Sequence, residues 1–272
     1  MFSFTKKEKI LCIKLYKVVT LEMTKMHKTK DLIYTLFEYF STNFDLTFEY
    51  FDVNYGFKEF RTNRGFSNYL EKVDDSILSY ISMINKNENI VFTVNLPFRN
   101  YLKGKEPQLS DIYFKFKFCN YPFENFKIVD LVNTLIIKEQ LDYGYFFETD
   151  NLNYLDWEYK SSLFKKDIGF ELNVLWNRHL VGINYGYLKK LYKYNFINES
   201  QMNQPIVKKS FNQKIGKFER VNENITLWQL DDQEFKIASN FFKSTPWLMC
   251  DENCYELFQN SVDAKLFKSL MK

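Results

Sequence analysis

The most informative stretch of the sequence is residues 112–118, where apolar and polar side chains alternate. Isoleucine or phenylalanine occupies every even position, whereas Tyr113, Lys115 and Lys117 occupy the odd ones. A period of two predicts a strand with one face in the core and the other in water, as is typical of antiparallel sheets. The fold of this chain is therefore expected to contain an antiparallel sheet.

The rest of the chain predicts strands in pairs that are separated by single helices. The predicted strands lie at 10–21, 46–51, 57–61, 89–96, 112–118, 143–149, 171–176, 217–220 and 224–230. The predicted helices lie at 29–44, 74–84, 125–141, 152–164, 187–196, 231–245 and 254–270, and the long loops at 98–109 and 198–214. This order indicates an α+β protein in which helices pack on one face of antiparallel sheets. We expect one domain over 1–272, within which 10–150 and 143–270 can form two similar halves.

Aromatic residues are unusually frequent, with 29 Phe, 19 Tyr and 4 Trp making up 19% of the chain. Phe, Tyr, Asn, Lys and Ile are common and alanine occurs only twice, at Ala238 and Ala264. An AT-rich coding sequence produces this bias, so the aromatic content by itself does not indicate a stacking surface for nucleic acid.

The net charge of +3 conceals an uneven distribution of charge. Residues 1–30 contain eight lysines against Glu8 and Glu22, which gives this segment +6 and leaves −3 for residues 31–272. A nucleic-acid-binding protein usually has a basic stripe on its folded body, so this mildly acidic body argues against nucleic acid as a partner. The basic arm 1–30 is expected to be loosely ordered, and Met23 and Met26 are alternative starts.

Four scattered cysteines are too few for a disulfide framework, and no apolar run is long enough to cross a bilayer. A cytoplasmic protein without a membrane partner is therefore expected. Cys250 and Cys254 share one helical face, but a structural zinc site needs a second pair of ligands. We predict no metal and no cofactor.

The densest group of candidate site residues is Trp176, Arg178 and His179. A histidine beside an arginine can transfer a proton or bind an anion, but the sequence places no carboxylate, serine or cysteine partner next to it. We favour a structural role, with Trp176 in the core. Gly182 and Gly186 precede a predicted helix without matching either phosphate-binding glycine motif, and they indicate a turn. No catalytic signature is present, so the protein is predicted not to be an enzyme.

Two stretches resemble a known family: WNRHLVGINYGYLKKL at 176–191 and ITLWQLDD at 225–232. Their layout is similar to that of the α+β immunity proteins paired with bacterial secreted toxins, including the type VI secretion group. The resemblance implies a ferredoxin-like scaffold and a cytosolic, non-catalytic inhibitor that occludes the active site of a cognate toxin. Because the body is only mildly acidic, we expect a less basic toxin or occlusion through aromatic anchors. The loops 98–109 and 198–214 are the candidate contact segments.

Two other functions remain open from the sequence. One is a structural or interaction protein of phage or mobile-element origin, for which a homo-oligomer with a self-complementary apolar patch is expected. The other is an enzyme with an unfamiliar site near Arg178 and His179, which requires a carboxylate with perturbed titration beside them.

Overall fold

The structure is a computed structural model. It describes residues 10–19, 29–44, 47–85, 90–95, 108–117, 125–149, 176, 180–249, 251–261, 264–265 and 269. The chain divides into two compact units, of which unit 1 contains residues 1–140 and 148–150, and unit 2 contains residues 141–147 and 151–272.

Unit 1 is built on an antiparallel sheet with the strand order β3-β2-β4-β5-β6-β1. Its strands are β1 (Ile10–Val19), β2 (Tyr50–Val53), β3 (Lys58–Phe60), β4 (Tyr80–Ile84), β5 (Ile90–Asn95) and β6 (Gln108–Lys117). Its helices are α1 (Thr29–Phe44), α2 (Asn63–Lys72) and α3 (Asn125–Glu139), with a 3-10 turn at Asp75–Ile77. The first six elements run β-α-β-β-α-β, which is the chain order of a ferredoxin-like unit. The pairing differs from that of a ferredoxin-like sheet, because β1 pairs with β6, whereas β4 pairs with β2 and β5.

The alternating stretch lies in β6, which pairs with β1 along its whole length, from Ile10 opposite Lys117 to Val19 opposite Gln108. On one face of the sheet, Phe51 of β2 stacks on Phe66 of α2, with ring centroids 4.3 Å apart. Phe37 of α1 meets the same Phe51 ring edge-on at 6.0 Å. Both helices therefore cover the same face, and the predicted α+β class with antiparallel sheets is confirmed.

Unit 2 has a second antiparallel sheet in the order β7-β8-β10-β9. Its strands are β7 (Tyr143–Thr149), β8 (Tyr194–Asn198), β9 (Lys217–Arg220) and β10 (Ile225–Gln229). Its helices are α4 (Val181–Tyr185), α5 (Glu199–Met202), α6 (Pro205–Asn212), α7 (Asp232–Phe242) and α8 (Glu252–Gln259). The predicted hairpin of β9 and β10 and the capping box that opens α7 are both confirmed.

The helix predicted at 187–196 is wrong. Tyr187 to Tyr192 run without helical structure, Leu188 forms a parallel bridge with Leu248, and the chain enters β8 at Tyr194. Four of these side chains are apolar and buried, and Lys189 is buried with them. An amphipathic helix leaves one face in water, whereas five of the six residues from Tyr187 to Tyr192 are buried.

The long loop predicted at 198–214 is also wrong, because α5 and α6 occupy most of it. Asn198 and Gln201 form a capping box at the start of α5. The side chain of Gln204 caps α6 and Pro205 occupies its first turn. These are strong helix-start signals even in a polar segment, and Val207 and Gln201 are buried.

Several other predicted elements have different bounds. The helix predicted at 74–84 is a 3-10 turn followed by β4, and α2 was not predicted at all. The strand predicted at 46–51 begins at Tyr50, residues 108–109 begin β6 rather than ending a loop, and α8 ends at Gln259. The predictions for residues 98–107, 152–164 and 171–175 lie outside the described residues.

None of the described helices is both long and apolar enough to span a bilayer.

Candidate functional site

Trp176 belongs to the core of unit 2, as the sequence predicted. It is helical rather than the end of a strand, and its side chain is fully buried. Its indole Nε1 donates a hydrogen bond to the carbonyl oxygen of Tyr187 at 3.3 Å, and its ring centroid lies 5.0 Å from that of Tyr143. The ammonium of Lys189 lies 4.9 Å from the same ring centroid. Arg178 and His179 lie outside the described residues, so a catalytic role for them stays untested.

The glycine-containing turn at α4 supports this tryptophan. Gln201 Nε2 donates to the carbonyl oxygens of both Gly182 and Tyr187, each at 3.4 Å. The Ser200 hydroxyl donates to the carbonyl oxygen of Ile183. Gly186 has a φ of 79°, which favours glycine. These hydrogen bonds tie α4 to α5. Gly182 lies within α4 and Gly186 ends it, so the turn that was predicted to precede a helix follows one instead.

Cys254 is buried and chemically quiet. Burial and the nearby Asp251 carboxylate raise the pKa of its thiol to about 12. The thiol donates a hydrogen bond to the carbonyl oxygen of Phe242 at 3.4 Å. Cys250 lies outside the described residues, and the described part of the chain contains no cluster of three or more His, Cys, Asp or Glu side chains that could hold a metal.

Beside this thiol lies a cavity of about 250 Å³ in unit 2. Its wall consists of Lys190, Leu191, Phe235, Ser239, Phe242, Lys243, Leu248, Asp251 and Cys254. Ligand pockets usually measure several hundred Å³, so this cavity has room for one ring or one side chain. Because a protonated thiol is a poor nucleophile, Cys254 is not expected to act as one in this cavity.

The two most exposed apolar side chains among the described residues of unit 1 lie at the turn between β2 and β3, and a third exposed one lies at the neighbouring 3-10 turn. The exposed fractions are 74% for Phe57, 62% for Tyr55 and 50% for Ile77. The side-chain Nδ2 of Asn54 donates a hydrogen bond to the Ile77 carbonyl oxygen at 2.8 Å, so the two turns are directly joined. We call Tyr55, Phe57 and Ile77 together the turn surface.

The backbone of the turn surface is held in an uncommon conformation. Asn54 and Tyr55 have φ angles of 53° and 59°, and Gly56 follows with 82°. Positive φ is costly for an aromatic residue and persists only where the surroundings enforce it. Here Asn54 Oδ1 accepts hydrogen bonds from the amides of Ser79 and Tyr80, at 3.0 and 3.2 Å.

The Tyr55 side chain is fixed as well, although it is exposed. Its ring stacks on Tyr80 with centroids 4.1 Å apart, and its hydroxyl donates to Asn95 Oδ1 at 2.8 Å. The amide of Gly56 donates to Asp52 Oδ1 at 2.6 Å. The backbone of this turn and the Tyr55 ring are thus held in one conformation.

Acidic side chains lie close to the Ile77 end of this surface. The Lys30 amide donates to Asp75 Oδ1 at 3.3 Å, which brings the start of α1 against the 3-10 turn. Burial, with the charges of Asp31 and Asp74, raises the pKa of Asp75, although Lys30 opposes the shift. Burial and the charge of Glu71 raise the pKa of Tyr34 on α1.

On the β3 side, two basic groups lie over aromatic rings of unit 1. The Lys58 ammonium is 4.5 Å from the Tyr69 ring centroid, and the Arg61 guanidinium is 4.9 Å from that of Tyr50. From the sequence, residues 54–56 were placed only by their position between the strands predicted at 46–51 and 57–61. The available signal was two large aromatic residues at positions where a turn normally has small polar ones.

No protein-family model matches the chain, and no curated protein matches it in sequence. Among solved structures, the T6SS protein PA0821 of Pseudomonas aeruginosa is similar, with a TM-score of 0.59 and 10% sequence identity. The similarity covers 86% of this chain and 76% of that one. The two proteins share a fold. At such low identity the likeness shows the fold alone.

Proposed function

We propose that the protein is a non-catalytic binding protein associated with type VI secretion, and that it acts as an immunity protein by occluding the active site of a cognate toxin. The single observation on which this rests is the fold shared with the T6SS protein PA0821 over 86% of the chain.

The structural roles of Trp176 and Cys254 in unit 2 support binding rather than catalysis. Trp176 is packed in the core and Cys254 is held as the neutral thiol by a pKa of about 12. In unit 1, by contrast, large apolar side chains are exposed on a rigid turn. Exposed apolar patches on folded proteins commonly mark the places where a partner binds.

An inhibitor of this kind acts in the cell that makes the toxin, so a cytosolic location forms part of the proposal. The loop 198–214, which the sequence analysis offered as a contact segment, consists largely of helices α5 and α6. The turn surface replaces it as a candidate contact.

The test starts with capture of partners from the native host by the tagged full-length protein, followed by mass spectrometry. Each stoichiometric partner is then expressed alone and together with this protein in a sensitive host. We expect one partner that arrests growth when expressed alone, and normal growth when both are present. An inactive form of the purified partner should bind the protein in a 1:1 complex by calorimetry.

Two results would contradict the proposal. One is a partner whose toxicity is unaffected by co-expression. The other is a protein that captures nothing and forms a homo-oligomer, which would favour the structural role considered above.

A further inference from the structure

We propose that the turn surface is the anchor through which this protein binds its toxin, and that it inserts into an apolar depression on the toxin with basic residues at the rim. This inference rests on the proposed function and specifies the chemistry of the partner. Three properties of Tyr55, Phe57 and Ile77 support it: their exposure, the fixed conformation of the turn and the surrounding charge.

Phe57 differs in its exposure from the phenylalanines that flank its hairpin. Its side chain is 74% exposed, whereas Phe51 and Phe66, which flank the same hairpin, are fully buried. An aromatic ring in water gains free energy when a partner covers it. Large aromatic side chains that enter a pocket are also the residues that most often dominate binding energy at protein interfaces.

The fixed backbone of the turn and the fixed Tyr55 ring lower the entropy cost of binding. Asn54 and Tyr55 hold positive φ angles through hydrogen bonds to Ser79 and Tyr80, and Tyr55 is fixed further by Asn95. A projection that is already ordered loses little conformational freedom when it binds. Backbone strain of this kind is concentrated at binding and catalytic sites.

The charge next to Ile77 favours basic groups on the partner at that end of the turn surface, whereas Lys58 and Arg61 lie at the β3 end. Four carboxylates and two ammonium groups lie along the start of α1, the end of α2 and the 3-10 turn: Asp31, Glu71, Asp74 and Asp75 against Lys30 and Lys72. An excess of carboxylates attracts a positively charged rim and orients the encounter.

The same charges argue against a second copy of this chain as the occupant. A two-fold interface places one patch against itself, so the acidic groups of one copy would face those of the other. Like charges brought together at an interface are strongly unfavourable. A toxin with a basic rim satisfies the apolar and the acidic parts of the surface together.

The test compares matched substitutions, measured as dissociation constants for the inactivated toxin. Phe57→Ala and Ile77→Ser alter the turn surface. Phe211→Ala and Ile137→Ser alter side chains that are 52% and 55% exposed but lie elsewhere. We expect Phe57→Ala to raise the dissociation constant at least about 30-fold, which is the range of an interface hot spot, and Ile77→Ser about tenfold. The two controls are expected to change it less than about threefold.

The acidic component is tested on one helix. Asp31→Asn removes a charge beside the 3-10 turn, and Glu38→Gln removes one from an exposed position two turns further along α1. Asp31→Asn should weaken binding several-fold and Glu38→Gln should not. Thermal unfolding of each variant checks that the fold is retained.

The outcomes separate this inference from the proposed function. If the wild-type protein binds and neutralises the toxin while Phe57→Ala and Ile77→Ser bind as tightly as the controls, the inference is wrong and the proposed function stands. If the wild-type protein binds no toxin, both are wrong. Equal losses in the altered and control variants would also overturn the inference, because the loss would then not be specific to the turn surface.

Discussion

Gly182 lies directly against the indole ring of Trp176, and this contact leaves no room for a side chain. A Cβ atom built on Gly182 would overlap the indole nitrogen and the adjoining ring carbons. The ring itself is held by its hydrogen bond to Tyr187 and by its contact with Tyr143. Glycine is therefore required here for close packing.

Gly182→Ala is expected to lower the free energy of unfolding by about 1–3 kcal/mol, the usual cost of forcing extra atoms into a packed core. Urea unfolding followed by tryptophan fluorescence measures the change. Gly65→Ala is the control, because a Cβ there meets only the Thr62 hydroxyl and the edge of the Phe60 ring. Equal effects at the two glycines would contradict the packing argument.

Cys254 is expected to resist alkylation in the folded protein. With a pKa of about 12, only about one thiol in ten thousand is ionised at pH 8, and the thiolate is the reactive species. Peptide mapping after iodoacetamide treatment should show modification of Cys254 at least about 100 times slower in buffer than in urea. Rapid modification in buffer would show that the thiol is ionised or accessible.

The raised pKa of Cys254 also determines how its contribution to folding stability changes with pH. A folded-state pKa above the unfolded value means that the neutral thiol is favoured in the fold. Its contribution is complete below the ordinary thiol pKa and is lost as the pH rises toward about 12.

At the scale of elements, helix α7 begins at a complete capping box. Asp231 Oδ1 accepts hydrogen bonds from the amides of Gln233 and Glu234, and a Glu234 carboxylate oxygen accepts one from the Asp231 amide. The Glu234 carboxylate also accepts from the Gly216 amide at 3.1 Å. The helix start is thereby tied to the residue before β9.

Asp231→Ala should lower the free energy of unfolding by about 1 kcal/mol, as loss of an N-cap usually does. The adjacent Asp232 offers a matched control, because its carboxylate is exposed and forms only a surface ion pair with Lys193 at 2.7 Å. Such pairs contribute little, so Asp232→Ala should change the unfolding free energy by less than about 0.5 kcal/mol. Chemical denaturation distinguishes the two.

The elements predicted correctly are those with local signals. Asp231 with Glu234 marks a helix start, and the alternation at 112–118 marks a strand, whatever surrounds them. The segment 187–192 has no such signal. Five of its six residues are buried, so they show no period. Its bridge partner Leu248 lies about sixty residues further along the chain. Helix α2 begins at a Thr62 cap and carries Phe66, Tyr69 and Leu70 at helical spacing, a local signal that the sequence prediction did not use.

At the scale of the whole molecule, the α+β class followed from the alternation and order of elements, whereas the candidate contact surface did not. Its formation depends on Asn54 reaching Ser79 and Tyr80, and on Tyr55 reaching Asn95. Contacts across 25 to 40 residues leave no pattern in a single sequence. The chain divides into two compact units. The single domain expected over 1–272 stays a prediction.

The charge distribution of the molecule leads to a prediction for its binding kinetics. Since four carboxylates lie beside Ile77 against two ammonium groups, the association rate constant with a basic-rimmed toxin should fall at least about tenfold between 50 and 500 mM NaCl. The dissociation rate constant should change much less, because apolar contacts around Phe57 are insensitive to screening. Surface plasmon resonance measures both constants, and a salt-independent association rate would contradict the charge assignment.

The two sheets each finish on a short, charged strand: β3 has three residues with Lys58 and Glu59 exposed, and β9 has four with Lys217, Glu219 and Arg220 exposed. Short charged strands are poor templates for further strands from other molecules. For a chain with 19% aromatic residues, this is a safeguard against fibril growth. It would let such an inhibitor accumulate in excess over its target without aggregating.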